Sequence, residues 1–409
     1  MSEWKEKTLG ELSIRVSSGL TPLKSNKKFW ENPSIPWLKT DQLGEKYIFD
    51  TNTKISKEAL EQTSLRIYPE NTVSIAMYGE GKTRGNISII KAPMTTNQAC
   101  CNIEIDPKLA DVEYVYYYLK TQYDSLRKLS SGVRKNLNSN DIKNYKIYIP
   151  ESVSVQKSII RILTSLDNKI NLNNQINQEL EAMAKTLYDY WFVQFDFPDQ
   201  NGKPYKSSGG KMVYHPELKR EIPEGWGVEN LFDIADVQYG YPFSTDYFNS
   251  TGEGVPVIRI RDILGNDITN YSTEEEVEDK YKINVGDVLI GMDGNFHMNY
   301  WIKEDCYLNQ RVVKVNSDKL PNMVLKYQIE PFIKLREKSV SRTTVGHLSD
   351  KDLKAINVIL PKDKYLSSIF EKFESILENI IINQQQNQEL TQLRDWLLPM
   401  LMNGQVKVE

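Results

Sequence analysis

The stretch QINQEL at Gln175–Leu180 recurs almost unchanged as QQNQEL at Gln385–Leu390, 210 residues further along the chain. Other short signatures recur upstream in the same order, at offsets between 210 and 222 residues. Matches of this kind in one order indicate a duplicated architecture. We therefore predict two copies of a globular domain, each followed by one long helix. The upstream matches are Ile149-Pro150 with Leu360-Pro361, Asn97-Gln98 with Asn309-Gln310, Gly79 with Gly291, Ile35-Pro36 with Val255-Pro256, and Trp4 and Leu9 with Trp226 and Leu231.

Seam residues at alternating spacings of four and three surround both copies of this stretch, which is typical of a coiled coil. In the first helix they are Ile159, Leu163, Leu166, Ile170, Asn173, Asn177, Leu180, Ala184, Leu187 and Trp191. The positions 210 residues later are Ile369, Phe373, Ile376, Ile380, Asn383, Asn387, Leu390, Arg394, Leu397 and Leu401.

Asparagine occupies the two middle positions of both seams. If the helices pack antiparallel, Asn173 faces Asn387 and Asn177 faces Asn383. Such a buried asparagine layer fixes register at a cost in stability. About 40 residues at about 1.5 Å each give a rod of about 60 Å, so the pair is predicted to hold two domains apart. An ordinary helical hairpin or a homodimerisation zipper explains the seam alone, but the duplicated domains favour the spacer.

The globular parts read as mixed α and β, with short strands between Gly, Pro and Asn turns. The fold class expected is therefore α/β (mixed), with two similar domains separated by two long antiparallel coiled-coil helices. The predicted boundaries are 1–150 for the first domain, 151–196 for the first helix, 197–225 for a linker rich in Pro, Gly, Lys and Ser, 226–362 for the second domain, and 363–409 for the second helix.

Composition limits the function classes. The 409 residues are 40% hydrophobic and 26% charged, with a net charge of −4. No apolar run approaches the ~18 residues of a membrane span, and the first residues show no signal sequence, so a cytoplasmic location is expected. Three cysteines and three scattered histidines fit neither a disulfide framework nor a metal site. We therefore expect no metal on this chain and read the cysteines as buried apolar residues.

The chain resembles the specificity subunit of type I restriction-modification systems over nearly its whole length. The resemblance is carried by the order of several motifs. The second helix departs from the pattern, with Ser367-Ser368-Ile369 in place of the Gln lead and Glu378-Asn379 where Asp is expected. The matching residues are Pro150, Gln156, Ile159, Leu163, Leu166, Asp167 and Ile170, then Tyr190 to Phe195, then Ile222-Pro223-Glu224-Gly225-Trp226, and finally Leu393 to Leu398 through Gly404.

The resemblance implies a non-catalytic subunit that binds double-stranded DNA and sets the sequence specificity of a complex. Each domain is implied to read one half of a bipartite target, while the helices set the spacing and dock two methylase (modification) subunits. Restriction and translocase subunits are implied to join. S-adenosylmethionine, ATP and Mg are then cofactors of those partner subunits, with none on this chain. The alternative is a stand-alone DNA-binding regulator or scaffold without methylase partners.

The sequence disfavours three enzymatic alternatives. Ala76 to Thr83 fits a relaxed phosphate-binding loop, but that motif needs a helix after it. Residues 84–90 read instead as a turn and a strand, and the equivalent loop at 291–295 has no Lys. An adenine methylase of this kind carries Asn-Pro-Pro followed by an aromatic residue, which this sequence lacks. A nuclease needs clustered carboxylates, and none form a convincing pair. No catalytic residue is predicted.

The DNA-binding candidates are basic and polar side chains in predicted loops, because Lys and Arg bind phosphates while Arg, Asn, Gln, Ser and Thr reach base edges. Any single Lys is more often solubilising charge. The tyrosine-rich run Tyr114 to Leu119 is predicted to belong to the core and not to form a stacking platform. The candidates are Lys24, Lys82, Thr83, Arg84, Arg134 and Lys135 in the first domain, and Arg259, Arg261, Asn295, His297, Asn299, Arg342, Thr343 and Thr344 in the second.

Overall fold

The structure is a computed structural model that describes residues 3–79, 83–129, 136–340, 346–361 and 366–406. The chain forms two compact units. The first unit runs to Asn168 and includes the residues from Leu390 onward, and the second unit is Lys169–Glu389. Within the described ranges, no helix is long and apolar enough to cross a membrane.

The first unit is mixed α and β. Its main sheet has the strand order β2-β9-β6-β7-β4, a small sheet has the order β5-β3-β8, and β1 pairs with β10. The strands are β1 Trp4–Thr8, β2 Ser13–Ser18, β3 Ile35–Leu38, β4 Tyr47–Ile48, β5 Lys54–Ile55, β6 Thr72–Ala76, β7 Ile87–Ile90, β8 Thr95–Thr96, β9 Cys100–Ile105 and β10 Lys146–Pro150. The helices are α1 Lys57–Gln62, α2 Val112–Thr121, α3 Tyr123–Lys128, α4 Ser139–Lys143 and the start of α5 Val153–Tyr188.

The second unit repeats the core of this topology, with one strand fewer in the main sheet and two more in the small sheet. Its main sheet has the order β14-β22-β19-β20 and its small sheet has the order β15-β17-β16-β21-β18. The strands are β11 Met212–His215, β12 Arg220–Pro223, β13 Gly227–Asn230, β14 Asp236–Tyr239, β15 Phe248–Asn249, β16 Val255–Ile258, β17 Tyr271–Ser272, β18 Lys282–Ile283, β19 Val288–Gly291, β20 Met298–Tyr300, β21 Cys306–Leu308, β22 Val312–Asn316 and β23 Asn357–Leu360. The helices are α6 Leu231–Ile234, α7 Ile260–Ile263, α8 Asn322–Val340, α9 Asp350–Lys354 and most of α10 Ser367–Met402.

Strand pairing makes the repeat explicit. The antiparallel pair β1 and β10 corresponds to β13 and β23, and the parallel pair β3 and β8 corresponds to β16 and β21. The mixed α/β class and the duplicated architecture predicted from the sequence are therefore present. Three of the four tyrosines of α2 and all three cysteines are buried, as predicted, and Tyr118 is half-buried.

One sequence match is displaced in the structure. Gly79 was matched to Gly291, but the strand register aligns Gly291 with Ala76. Ala76 pairs with Cys100, and Gly291 pairs with Val312. Cys100 and Val312 are equivalent, because each is the first residue of the strand that follows the turn, β9 and β22 respectively. The glycine that corresponds to Gly79 by this register is Gly294, and both have positive φ, 145° and 71°. The two hairpin loops still correspond, shifted by three residues.

The segment 197–225, predicted as a linker from its composition, contains the β11–β12 hairpin and packs into the core of the second unit. Phe197 stacks on Trp226 with ring centroids 4.9 Å apart, and Phe192 approaches the same ring at 5.7 Å. The aromatic end of the first helix and the Gly-Trp motif that opens the second domain thus bury each other. Aromatic contacts of this kind contribute beyond the area that they bury.

The two helices run antiparallel within the second unit. Asn173 donates from Nδ2 to Oδ1 of Asn387 at 2.9 Å, and Asn383 donates to Oδ1 of Asn177 at 2.9 Å. From the first pair to the second, the residue number rises by four on α5 and falls by four on α10, as antiparallel helices require. Asn173 is fully buried and Asn177 is 6% exposed. The polar layer therefore lies inside the helix pair, where unpaired amides are costly.

A second polar layer joins the helices within the first unit. Oδ1 of Asp167 accepts a hydrogen bond from Arg394 at 3.0 Å, and Oδ2 accepts one from Tyr117 and lies 3.3 Å from Nζ of Lys46. Lys46 also pairs with Glu113 at 3.2 Å. All these groups are largely shielded from water. The layer ties α5 and α10 to α2 and to the loop before β4.

The electrostatic balance of this layer favours ionised Asp167. Burial by itself raises the pKa of this carboxyl, but hydrogen bonds from Tyr117 and Arg394 and the charge of Lys46 outweigh burial, and the pKa lies below its ordinary value. The positions related by the 210-residue repeat are Leu377 and Ala184, both buried in the apolar core of the second unit. The two helix junctions are therefore chemically different, although the backbone architecture repeats.

We predict that Asn177 and Asn383 are energetically coupled. Asn383→Ala leaves a buried oxygen of Asn177 without its donor, so the free energy of unfolding should fall by about 1–2 kcal/mol. The double variant Asn177→Ala/Asn383→Ala should lose less than the sum of the two single variants, by about 1 kcal/mol. Urea denaturation followed by circular dichroism measures this cycle. Exposed Gln178→Ala is the control, and strictly additive losses would contradict the coupling.

We predict that Arg394→Met destabilises the first unit by about 2 kcal/mol at pH 7, because Asp167 loses one of its charged partners in a shielded site. The pKa of Asp167 is lowered in the folded chain, so its contribution is present above the ordinary carboxylate pKa and is lost as the pH falls. Wild type and variant should therefore converge below about pH 4. Denaturation midpoints at both pH values test this, with Lys54→Met at an exposed ion pair as the control. An equal gap at both pH values would refute the charge effect.

Candidate nucleic-acid interface

A four-residue turn connects the small and main sheets of the first unit. Asn97 begins it by donating its N–H to the carbonyl of Leu38 at 2.8 Å. The carbonyl of Asn97 accepts the N–H of Cys100 at 3.1 Å, and its side-chain oxygen accepts the N–H of Ala99 at 3.1 Å. Asn97 thus supplies both its backbone and its side chain to the turn, an arrangement that Asn is suited to. Gln98, at the tip, is exposed.

Two further backbone hydrogen bonds extend from this turn. Met77 donates its N–H to the carbonyl of Ala99 at 2.8 Å, and its own carbonyl accepts the N–H of Leu137 at 3.2 Å. The end of β3, the 97–100 turn, the β6–β7 loop and the segment before α4 therefore lie side by side. We call residues 38–39, 97–99, 77–79 and 136–137 the first loop edge.

The second unit contains the same set of bonds. Asn309 donates to the carbonyl of Ile258 at 3.2 Å, and its side-chain oxygen accepts the N–H of Arg311 at 3.3 Å. Met292 donates to the carbonyl of Arg311 at 2.9 Å and accepts the N–H of Leu348 at 2.7 Å. Residues 258–259, 309–311, 292–294 and 346–348 form the second loop edge. Gln310 occupies the tip of its turn and is exposed.

A glycine supports each turn from behind. A Cβ at Gly19 would lie 2.2 Å from the carbonyl oxygen of Thr96, and a Cβ at Gly240 would lie 2.0 Å from that of Asn309. Both glycines donate an N–H to the residue that ends the turn, Cys100 and Val312 respectively. Only glycine allows this close approach of two backbones.

The structure describes three of the first-domain candidates, Lys24, Thr83 and Arg84. Thr83 and Arg84 lie in the β6–β7 loop, and the carbonyl of Arg84 accepts a hydrogen bond from Arg127 of α3 at 3.1 Å. Lys24 is exposed in the segment that begins at Gly19. Strand β7 follows Thr83, not the helix that a phosphate-binding loop requires. The candidates Lys82, Arg134 and Lys135 lie outside the described residues.

Some candidate side chains of the second domain are exposed, and others are hydrogen-bonded within the fold. Arg261 and Asn295 are exposed, and His297 is half-buried with its backbone in the hairpin loop. Asn299 donates to the carbonyls of Ile263 and Leu264 at 3.2 Å each, which caps the end of α7. The candidates Arg342, Thr343 and Thr344 lie outside the described residues.

Arg259 is half-buried and bound to neighbouring side chains of its own fold. It donates to Thr269 at 2.7 Å, and its Nε lies 3.6 Å from the fully buried carboxylate of Asp262. Burial lowers the pKa of Arg259, and the nearby Arg261 lowers it further. Its backbone lies in the second loop edge, but its guanidinium is committed to this internal network.

Two groups were missed from the sequence. Asp293 accepts from His347 at 2.7 Å and pairs with Arg311 at 3.2 Å, so one carboxylate holds two half-exposed basic side chains at the second loop edge. The second group consists of Gln98 and Gln310, which were not among the candidates although their Asn-Gln pairs helped to identify the repeat. The equivalence of the two turns was the available signal. Sequence spacing gave no signal for the cluster because its members come from separate loops.

The comparisons with known proteins agree with this architecture. The model of the type I restriction modification DNA specificity domain matches residues 1–182 and 223–392. The chain belongs to this family.

Among relatives, the specificity subunit of the type I restriction enzyme MjaIX of Methanocaldococcus jannaschii is 29% identical, over all of this chain and 94% of the relative. The HindI specificity subunit of Haemophilus influenzae is 21% identical, over 99% of this chain and the whole of the relative. The fold resembles that of the S subunit from M. genitalium, with a TM-score of 0.60 at 16% identity over 98% of this chain and 96% of that one.

These findings support the role of a DNA-specificity subunit and not the alternative of a stand-alone regulator. The similarity to these two relatives extends over both halves of this specificity subunit. Each loop edge brings four segments together on a scaffold of paired strands, and loops held in this way carry binding residues in many folds.

We predict that Gly240→Ala displaces the 309–312 turn, because its Cβ has no room beside the carbonyl of Asn309. The change should destabilise the second unit by about 2 kcal/mol and weaken DNA binding. The control is Gly252→Ala, where space is open but φ is +92°, so only a backbone cost of about 1 kcal/mol is expected. Thermal unfolding and duplex binding measure both effects. Equal behaviour of the two variants would contradict the close-approach argument.

Proposed function

We propose that this specificity subunit reads a bipartite, asymmetric DNA target, with the domain at 1–150 reading one half and the domain at 226–362 reading the other. The observation that carries the proposal is the loop edge, which both units build with the same backbone hydrogen bonds. Two recognition domains with the same architecture are suited to the two half-sites of one DNA target.

The side chains carried by the two edges support different readings of the two halves. Ala99 of the first edge corresponds to Arg311 of the second. Arg311 is exposed beside His347 in the second edge, whereas the first edge has a small residue at that place. Base discrimination depends on the donors and acceptors that reach groove edges, so these differences predict different half-sites.

The helices are proposed to set the spacing and to dock the methylase subunits. Within the second unit, Leu172, Ile176 and Met183 are 49%, 39% and 47% exposed on α5. Their spacings of four and seven put them on one face of the helix. An apolar stripe that remains in water is typical of a protein contact. The asparagine layer is proposed to fix the register in which this face is presented.

This chain is proposed to contribute recognition and no catalysis. The methylation chemistry with S-adenosylmethionine, and the ATP- and Mg-dependent work of the restriction subunits, belong to the partners in this proposal. In the described part of the chain, no group of three or more Cys, His, Asp or Glu side chains is arranged to hold a metal ion.

The test is methylation-sensitive long-read sequencing of DNA from a methylation-free host. The host expresses this chain with a type I methylase subunit from the same genome, and a second culture expresses the methylase alone. We predict a bipartite adenine-methylated motif only when this chain is present. Arg311→Ala should alter or relax the half read by the second domain and leave the other half intact.

Each outcome is informative. No new methylation with both proteins soluble and co-purifying would overturn the proposed role with this methylase. A stand-alone regulator would show no co-purification. Changes in both half-motifs from Arg311→Ala would overturn the assignment of one half to each domain. Exposed Lys219→Ala, in the turn of the β11–β12 hairpin and outside the second loop edge, serves as the matched control for loss of one positive charge.

A further inference from the structure

The tip of the turn is matched closely between the two units. Gln98 and Gln310 both stand second in a four-residue turn that is closed by the same backbone bond, 3.1 Å in the first unit and 2.8 Å in the second. Both turns also have the same bond to the Asn side-chain oxygen, at 3.1 and 3.3 Å. Both glutamines are exposed.

The fold does not depend on these two side chains. Asn97 and Asn309 satisfy the turns, and Gly19 and Gly240 support them from behind. A Gln at the tip adds nothing to the bonds that close the turn, and an exposed Gln costs side-chain entropy when it is ordered. The same residue at the same tip in both units therefore points to a ligand rather than to stability.

The neighbours of the two glutamines differ. Ala99 follows Gln98, whereas Arg311 follows Gln310, and Tyr78 stands in the first hairpin loop where Asp293 stands in the second. If the side chains around the common Gln read the bases, they are expected to differ between the two edges, because the two half-sites differ in sequence. The common residue then contacts what any two half-sites share, which is the sugar-phosphate backbone.

We propose that Gln98 and Gln310 are positioning residues that donate their carboxamide N–H groups to DNA backbone oxygens at equivalent places in the two half-sites. This proposal rests on the proposed function, because it assigns one contact to each reader. A carboxamide is a good donor to phosphate and is itself uncharged. The rigid turn reduces the ordering cost of the contact. The contact sets the register of each domain on its half-site and carries no base preference.

An uncharged contact has a distinctive signature. Lys or Arg contacts release counterions, so their loss lowers the dependence of binding on salt. Loss of a Gln contact weakens binding without changing that salt dependence. A Gln that reads a base behaves differently again, since its bidentate contact with adenine carries specificity and its loss relaxes one position of the motif.

The experiment uses the full chain in complex with its methylase and measures binding to a duplex that carries the methylated motif and to one that does not. Gln98→Ala and Gln310→Ala should each weaken binding to both duplexes about three- to tenfold, with an unchanged salt slope. Gln98→Glu and Gln310→Glu should weaken it further, because a carboxylate repels phosphate. Exposed Gln62→Ala and Gln200→Ala are matched controls that should bind like wild type.

The methylated motif is mapped for each variant as well. An unchanged motif with weaker binding supports backbone positioning. A motif relaxed at one base pair overturns it in favour of base reading, and unchanged binding in both alanine variants overturns any DNA contact. Failure of the proposed function is separate, because wild type itself would then produce no motif. Comparison of wild type and variants on a duplex of arbitrary sequence still tests the contact in that case.

Discussion

The antiparallel pairing of α5 with α10 is the constraint on which both units depend. In the second unit the pair is joined by the asparagine layer, and in the first it is joined by Asp167 and Arg394. The C-terminal part of α10 completes the first unit, because Leu401 and Met402 are almost fully buried in its core. That core is therefore unfinished until this part of α10 is in place. Contacts between residues so far apart in sequence are slow to form, since the chain between them must first close into a large loop.

Much of the architecture could be predicted because its signals are periodic or repeated. The seam positions of both helices are buried or half-buried, and the asparagines meet in the pairs that a pseudo-two-fold arrangement requires. Both follow from residue spacing alone. The displaced match of Gly79 with Gly291 shows the limit of this method. A common offset does not establish strand register when loops differ in length, and hydrogen bonding between strands decides the register.

The composition of a segment gave weaker information than its few large apolar residues. Residues 197–225 are rich in Pro, Gly and Ser, yet Phe197 and Ile222 are buried in the core of the second unit. The candidate site shows a related limit. Arg259 and Asn299 have suitable chemistry for DNA, but one is bound to Asp262 and Thr269 and the other caps α7. Sequence alone does not distinguish a polar side chain that is free to bind a ligand from one that satisfies its own fold.

The construction of the loop edges has a consequence for specificity. Nearly all bonds that hold the four segments together join backbone groups, and those bonds do not depend on side-chain identity. The exceptions are the Asn side chain that shapes each turn and the glycine behind it. Residues such as Ala99 and Arg311 can therefore differ between the two edges with little cost to folding. An edge built in this way separates the geometry of a reader from the bases that it reads, so a duplicated domain can acquire a second specificity by side-chain substitution without rebuilding its scaffold.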